Sequence, residues 1–172
     1  MASILNVDQI NNAAGTSAVT IDASSGKPSF PNGATLPAGS VVQVVNTTFN
    51  TQATTTSGTA SATGLSQSIT PQFANSKLLV QMDVNGVYST VTGGAVHMYL
   101  YRDGGLVNLF AQSHAYNTAG SSITTGAYSK LIDAGSTSAT TFQLYFAMAG
   151  SGTAYINVNN ASSSIILMEI AQ

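Results

Sequence analysis

Apolar and polar residues alternate in short runs from residue 40 to the end of the chain, and the runs recur about every 8 to 15 residues with turn residues between them. Alternation with a period of two is typical of strands that bury one face. Nine strands are predicted, over residues 41–47, 62–70, 77–84, 94–102, 106–112, 123–132, 141–148, 154–158 and 164–170. We therefore expect an all-β fold, an antiparallel jelly-roll-like β-sandwich of eight or nine strands.

Every second residue in several of these strands is apolar, and we expect the residues of this parity to form the core between two sheets. Its members are Leu78, Val80, Met82, Val84, Val96, Met98, Leu100, Phe142, Leu144, Phe146, Met148, Ala154, Ile156 and Val158. The last strand differs, because residues 165–168 place apolar groups on both faces. A half-exposed edge strand tolerates this poorly, so the run predicts either a central strand or a strand at a subunit contact.

Residues 1–39 follow another pattern, because glycine and proline interrupt them too often for a long helix. We expect an extended N-terminal arm over 1–39 and the sandwich over 40–172. The arm cannot bury its apolar residues by itself. We expect it to anchor or trimerise the protein by packing on partner chains; an arm folded over its own domain and a flexible tail are the alternatives. The candidate anchoring residues are Ile4, Leu5, Val7, Ile10, Val19 and Ile21.

The opposite parity of the strands carries aromatic residues, namely His97, Tyr99, Tyr101, Tyr145 and Tyr155. Such rings combine a large contact area with a polar tip, which suits subunit interfaces and also sugar stacking. If the strands are neighbours, the rings form an outward patch. Three interpretations stay open: a subunit interface, which we favour, a glycan-binding platform, and tyrosines scattered over the surface.

Charged residues make up only 6% of the chain, against about 25% in an ordinary soluble protein. Much of the surface is therefore expected to be covered in an assembly, and a neutral β-protein that is soluble alone is the alternative. The formal net charge is −2 and the four basic residues are scattered, which argues against nucleic-acid binding.

The chain has no cysteine, which excludes a disulfide framework and a cysteine-ligated zinc site. Its first residues lack the basic and apolar regions of a secretory signal. No run approaches the roughly 20 apolar residues that a membrane helix requires. We predict no signal peptide and no membrane insertion.

Residues that could carry catalysis are dispersed along the chain. Asp83 and Glu169 are the one pair of carboxylates on predicted strands, and a glycosidase would need two carboxyl groups about 5 to 9.5 Å apart. His97 and His114 could approach across a hairpin at residues 103–105, but without a carboxylate partner they make a poor metal site. We predict no enzymatic activity, no cofactor and no metal site.

Three stretches carry a family resemblance: residues 4–15 (ILNVDQINNAAG), 17–22 (SAVTID) and 164–171 (SIILMEIA). Residues 64–71 (GLSQSITP), 75–80 (NSKLLV) and 99–104 (YLYRDG) look like further elements of the same pattern. Together they resemble bacteriophage tail-fibre and virion structural proteins of marine and cyanobacterial phages. These motifs are structural, and no catalytic residue is carried over.

The resemblance implies a virion protein made in the host cytoplasm, a homotrimeric tail fibre or tail-associated appendage. Its arm would anchor it to other tail or baseplate proteins, and its sandwich would face a host-surface polysaccharide. One alternative is a capsid decoration or cement protein, whose arm lies across coat subunits. A further alternative, from a different class, is a monomeric carbohydrate-binding module.

Overall fold

The computed structural model describes residues 8–11, 14–29, 36–116 and 122–172. The chain divides into two compact units, Met1–Leu36 and Pro37–Gln172. The pattern of glycine and proline residues predicts this division after residue 39. Among the described residues, no helix is long and apolar enough to cross a membrane.

The N-terminal unit contains three short antiparallel strands: β1 (Gln9–Asn11), β2 (Ser17–Ile21) and β3 (Pro28–Ser29), with β2 in the middle. In the turn after β2, the carboxylate of Asp22 accepts hydrogen bonds from the hydroxyl and backbone N–H groups of Ser25 and Ser24, at 2.7–3.1 Å. These hydrogen bonds, that of the Ser25 hydroxyl first, lower the pKa of Asp22 to about 2. The described part of the predicted extended arm therefore turns back on itself twice.

The second unit is an antiparallel β-sandwich, as predicted. Its strands are β4 (Val41–Phe49), β5 (Ala53–Thr55), β6 (Ser61–Ile69), β7 (Lys77–Ser89), β8 (Ala95–Arg102), β9 (Gly105–His114), β10 (Thr124–Asp133), β11 (Thr140–Ala149), β12 (Ala154–Ile156) and β13 (Ser163–Ile170). All nine predicted strands are present, and the short strand β5 is additional. The largest difference in length is at β7, which continues to Ser89 where the alternation predicts an end at residue 84.

The order of the eight long strands defines the jelly roll. The first sheet has the order β4, β13, β7, β10, and the second has the order β6, β11, β8, β9. Counted along the chain, these are strands one, eight, three, six and strands two, seven, four, five. This is the order produced by two Greek keys in a double-sheet jelly roll. The short strands β5 and β12 pair with each other, and β12 pairs with the end of β7.

The core lies between the sheets and is formed by the predicted parity of β7, β8, β11 and β12, whose large apolar members are at most 1% exposed. Each such side chain contributes about 1.5 to 3 kcal/mol relative to exposure. Val158 is a correction to the prediction, because it is only half-buried in a 3₁₀ turn. The strand ends at Ile156 because Asn157 and Asn159 adopt positive φ, which asparagine tolerates better than most residues.

The last strand, β13, lies between β4 and β7. Its side chains Ile165 and Leu167 are buried in the core, whereas Ile166 and Met168 are half-buried on the outer face. The two-faced apolar run is therefore a central strand, the first of the two predicted alternatives.

Candidate functional site

Four of the five predicted aromatic residues lie together on the outer face of the second sheet. Tyr99 on β8 lies directly opposite Tyr145 on β11. The rings of Tyr101 and Tyr145 stack with centroids 4.0 Å apart and an interplanar angle of 21°. The Tyr99 hydroxyl lies 3.4 Å from Nδ1 of His97. All four side chains are half-buried, so one surface of each ring is available for contact.

Tyr155 does not belong to this group. It lies on β12, which pairs with β7 of the first sheet, and its ring packs 5.7 Å from that of Tyr88. Its assignment to the patch was wrong, because parity along a strand tells which face of its own sheet a residue occupies and not which sheet the strand joins.

Two exposed leucines of β9 extend the aromatic group. Leu106 lies opposite Tyr101 and Leu109 opposite Tyr99, and they are 59% and 40% exposed. These two leucines were not predicted as part of the patch, because irregularities of register between β8 and β9 break the simple alternation. We name the surface formed by Tyr99, Tyr101, Tyr145, Leu106 and Leu109 the tyrosine–leucine face.

Charge is nearly absent from the second sheet. Arg102 is the one charged residue in its four strands, and it lies at the end of β8. Its guanidinium donates hydrogen bonds to the carbonyl oxygens of Asp133 and Ala134 at 2.9 and 2.6 Å and to the hydroxyl of Thr140 at 2.8 Å. The tyrosine–leucine face therefore presents no charged group to a partner.

The outer face of the first sheet carries a row of apolar side chains that crosses all four strands. Val44 pairs in register with Met168, Met168 with Leu79, and Leu79 with Leu131. Val44 and Leu131, on the two outer strands, are 51% and 53% exposed. This apolar band was not predicted from the sequence, because its members come from four strands whose order and register are set by the tertiary fold.

Glu169 points into the sandwich and is fully buried. Its carboxylate accepts hydrogen bonds from the backbone N–H groups of Gln72 and Phe73 at 2.9 Å, from the Ser76 hydroxyl at 2.8 Å and from the Gln43 amide at 2.6 Å. Burial acts to raise the pKa of Glu169, but the hydrogen bonds outweigh it and the pKa lies below its ordinary value. Glu169 therefore ties the segment after β6 to the last strand.

Asp83 and Glu169 do not form a catalytic pair. Asp83 is exposed on the outer face of β7 and lies opposite Ser164 on β13. Glu169 is five residues further along β13, which corresponds to about 17 Å at 3.4 Å per residue, and it points to the other side of the sheet. Two carboxyl groups in this arrangement lie outside the separations that glycosidases use.

The two histidines lie in separate clusters. His97 contacts Tyr99, whereas Nδ1 of His114 lies 3.2 Å from the hydroxyl of Tyr128, whose ring stacks on Phe110 at 5.2 Å. Burial lowers the pKa of His114. In the part of the chain that the structure describes, no three His, Cys, Asp or Glu side chains come together as a metal site would require.

Three of the six candidate anchoring residues of the arm, Ile4, Leu5 and Val7, lie outside the described residues. Ile10 is exposed on β1 and lies opposite Val19 on β2. Val19 and Ile21 are half-buried. The anchoring role of these residues stays a prediction.

No protein-family model matches the chain, and no curated protein matches it. Among solved structures, the VP2 subviral particle of infectious bursal disease virus is 16% identical with a TM-score of 0.49, over 77% of this chain and 34% of that one. The Gx strain of the same virus is 15% identical with a TM-score of 0.49, over 76% and 33%. A mutant VP2 protein in T=1 particles is 15% identical with a TM-score of 0.44, over 88% and 40%.

This chain thus spans about a third of the length of the first two of these viral proteins. Likenesses at this level do not establish a common fold. The jelly-roll assignment rests on the strand order of the chain itself.

Proposed function

We propose that this chain is a structural protein of a bacteriophage virion, a homotrimeric tail fibre or tail-associated appendage that contacts the host surface. The resemblance of residues 4–15, 17–22 and 164–171 to phage virion proteins supports the virion assignment. The jelly-roll topology is consistent with it, because viral capsid domains are among the proteins that use this architecture. Proteins with this fold have many functions, so the function of this chain depends on a particular surface of the sandwich.

The tyrosine–leucine face is the observation that carries the proposal. Oligomer interfaces are enriched in tyrosine and depleted of charge at their centres. Here Tyr101 and Tyr145 are already held by stacking, so little side-chain freedom remains to be lost on association. Burial of the exposed parts of Leu106 and Leu109 adds hydrophobic stabilisation at about 25 cal/mol per Å².

A trimer gives this face a partner without leaving an open surface for further growth. Three copies arranged about a threefold axis place the same face of each copy towards the centre, and the ring closes after three contacts. The first sheet of each sandwich then remains on the outside, where it is available to the host surface or to other virion proteins.

The test is the solution mass by light scattering, with variants matched for exposure. We expect the wild type at about three times the 17.5 kDa of one protomer. Leu106→Ser should shift the mass towards the monomer, because it removes an apolar contact from the tyrosine–leucine face. Leu131→Ser is the matched control, since Leu131 is 53% exposed on the other sheet and should leave the trimer intact. A monomeric wild type, or dissociation by the control alone, would refute the proposed interface.

The position in the particle needs a separate measurement. Gold-labelled antibodies against residues 40–172, applied to intact virions that contain the chain, should mark the tail. Labels distributed over the head would replace the tail assignment by the capsid decoration alternative and would leave the virion assignment intact.

A further inference from the structure

We propose that a trough on the outer face of the first sheet, centred on Asp83, binds the hydroxyl groups of an uncharged carbohydrate. This inference deepens the proposed function, because it names a site and a ligand class for the host contact on which that function rests. It does not involve the aromatic residues considered above as a glycan platform: His97, Tyr99, Tyr101 and Tyr145 lie on the opposite sheet, and Tyr155 on β12 does not line the trough.

The trough follows from the residues beside Asp83. Asp83 lies between Ser164 on β13 and Ala127 on β10, and both are directly opposite in register. Because the side chains of Ala127 and Ser164 are short, the sheet surface is depressed on both sides of the Asp83 carboxylate. Two adjoining depressions of about 210 and about 540 Å³ share Asp83 and Ala127. Their polar walls are Gln81, Asn85, Thr125, Ser129 and Ser164.

A β-bulge shapes one end of the trough. The register of β10 against β7 shifts between Thr124 and Gly126, beside the position opposite Val84. A Cβ atom at Gly126 would overlap the hydroxyl of Tyr128 on the core side of the sheet, so a larger residue at the bulge would displace that ring. Bulges are common next to binding sites, where they redirect side chains and interrupt pairing.

The Asp83 carboxylate differs from the other carboxylates of the sandwich unit. Asp103, Asp133 and Glu169 each accept a hydrogen bond or form an ion pair. Within the described residues, the side chain of Asp83 has neither. Aspartate is disfavoured in the middle of a strand. A residue that breaks a local preference without a compensating contact marks a candidate functional position.

The polar groups in the trough are suited to sugar hydroxyls. A carboxylate accepts two hydroxyl hydrogen bonds at once, and charged acceptors form stronger hydrogen bonds than neutral ones. The Asn85 amide nitrogen already donates to the Ser162 carbonyl at 2.6 Å, which leaves the amide oxygen as a second acceptor. Gln81 supplies both donors and an acceptor, and Ile166 supplies an apolar wall against the C–H groups of a sugar ring.

The negative charge of Asp83 determines which classes of ligand the trough can bind. The one carboxylate in the trough and the net charge of −2 disfavour acidic polysaccharides. A calcium ion would require six to eight oxygen ligands and normally several carboxylates, and the trough has one. An uncharged glycan brings hydroxyl donors to the carboxylate and no negative charge that would repel it. Three troughs on one trimer would add avidity to a weak single site.

The experiment measures binding of the full chain to hexasaccharides of glucose, mannose, galactose and N-acetylglucosamine, with hexagalacturonate as the acidic comparison, by saturation-transfer NMR and calorimetry. At least one neutral probe should bind and the acidic probe should not. Asp83→Ala should weaken binding at least about tenfold, the loss of one charge-assisted interaction. Ala127→Leu should do the same by filling the trough. Asp133→Asn is the matched control, because it removes an exposed carboxylate of the same sheet from outside the trough.

Three outcomes would overturn the inference: no neutral probe binds, Asp83→Ala binds as well as wild type, or binding requires added Ca²⁺ and disappears with a chelator. Circular dichroism of each variant shows whether it has kept the fold. The result is separable from the proposed trimer, because a monomer that binds through Asp83 refutes only the assembly. A trimer that binds no probe refutes only the trough.

Discussion

The two sheets of the sandwich share one core but have different outer surfaces. The four long strands of the first sheet contain five charged residues, Lys77, Asp83, Lys130, Asp133 and Glu169, whereas those of the second contain only Arg102. The outer face of the first sheet combines an apolar band with a polar trough at Asp83. The second sheet presents stacked tyrosines and exposed leucines.

This difference suits the two outer faces to different kinds of contact. Desolvation of an uncharged aromatic surface by a binding partner costs little free energy, because no charged group has to lose its water. A trough with an unpaired carboxylate is costly to bury but well suited to a hydroxylated ligand that arrives with its own donors. Three substitutions measure what each part of the sandwich contributes to stability. They change the shared core, a buried hydrogen-bond network and a surface ion pair.

The largest expected effect is from Phe146→Asp, which removes the core that both sheets share. Phe146 is 1% exposed on β11. Truncation of a buried phenylalanine costs about 3 to 5 kcal/mol, and an unpaired buried charge adds to that cost. Since domains are stable by only about 5 to 15 kcal/mol, we expect no cooperative folding. Circular dichroism and thermal melting measure this.

Asn46→Asp, at an exposed position of β4 on the outer face of the other sheet, is the control and should keep a sharp melting transition. A soluble Phe146→Asp variant with a comparable transition would contradict the assignment of the core parity.

A smaller effect on stability is expected from Glu169→Gln in the last strand of the first sheet. The amide keeps the shape but places an NH₂ group among hydrogen-bond donors, so we expect a loss of about 1 to 3 kcal/mol in the free energy of unfolding at pH 7. Because the folded pKa of Glu169 lies below its ordinary value of 4.5, its contribution is present above pH 4.5 and is lost as pH falls through the folded pKa. Urea unfolding of wild type and Glu169→Gln should therefore converge in acid.

Some acid sensitivity should remain in Glu169→Gln, because the hydrogen bond from the Thr140 hydroxyl also lowers the pKa of Asp103. Asp83→Asn is the control for loss of a carboxylate with no protein partner and should match wild type at pH 7. Parallel pH profiles for wild type and Glu169→Gln would show that Glu169 does not act through its charge.

The smallest effect is expected from Lys77→Gln at the start of β7 in the first sheet. Lys77 forms an ion pair with Asp133, an exposed carboxylate on the neighbouring strand. Exposed pairs contribute about 0 to 1 kcal/mol and are screened by salt. We expect a change below about 1 kcal/mol in urea unfolding that vanishes in 1 M salt. A larger, salt-independent loss would mean that the surface charges of this sheet are structural.

The core and strands could be predicted because burial of one face imposes a period of two that is visible in the sequence. The same logic correctly identified residues 165–168 as a possible central strand. It failed for Tyr155 and Val158, because sheet membership and the positive φ of Asn157 are not encoded in alternation. Glu169 illustrates a further limit, since its partners Gln72 and Phe73 precede it by 97 and 96 residues.

The candidate sites were predictable only in part for a related reason. His97, Tyr99, Tyr101 and Tyr145 were found because each has the outward parity of its own strand. Leu106 and Leu109 were missed because the register of β9 is irregular. The trough at Asp83 depends on which small residues of β10 and β13 stand opposite, which is a property of the strand register alone.

The position of β13 has a consequence for synthesis on the ribosome. This strand is the last in the sandwich, yet it fills the gap between β4 and β7, and Ala171 exchanges backbone hydrogen bonds with Gly39 and Ser40 at the beginning of the unit. During synthesis, β4 and the adjoining edge of β7 stay unpaired until β13 has been made. Unpaired strand edges promote aggregation. The sandwich closes only when its final strand emerges, so translation products that stop before β13 should be aggregation-prone and unable to complete the first sheet.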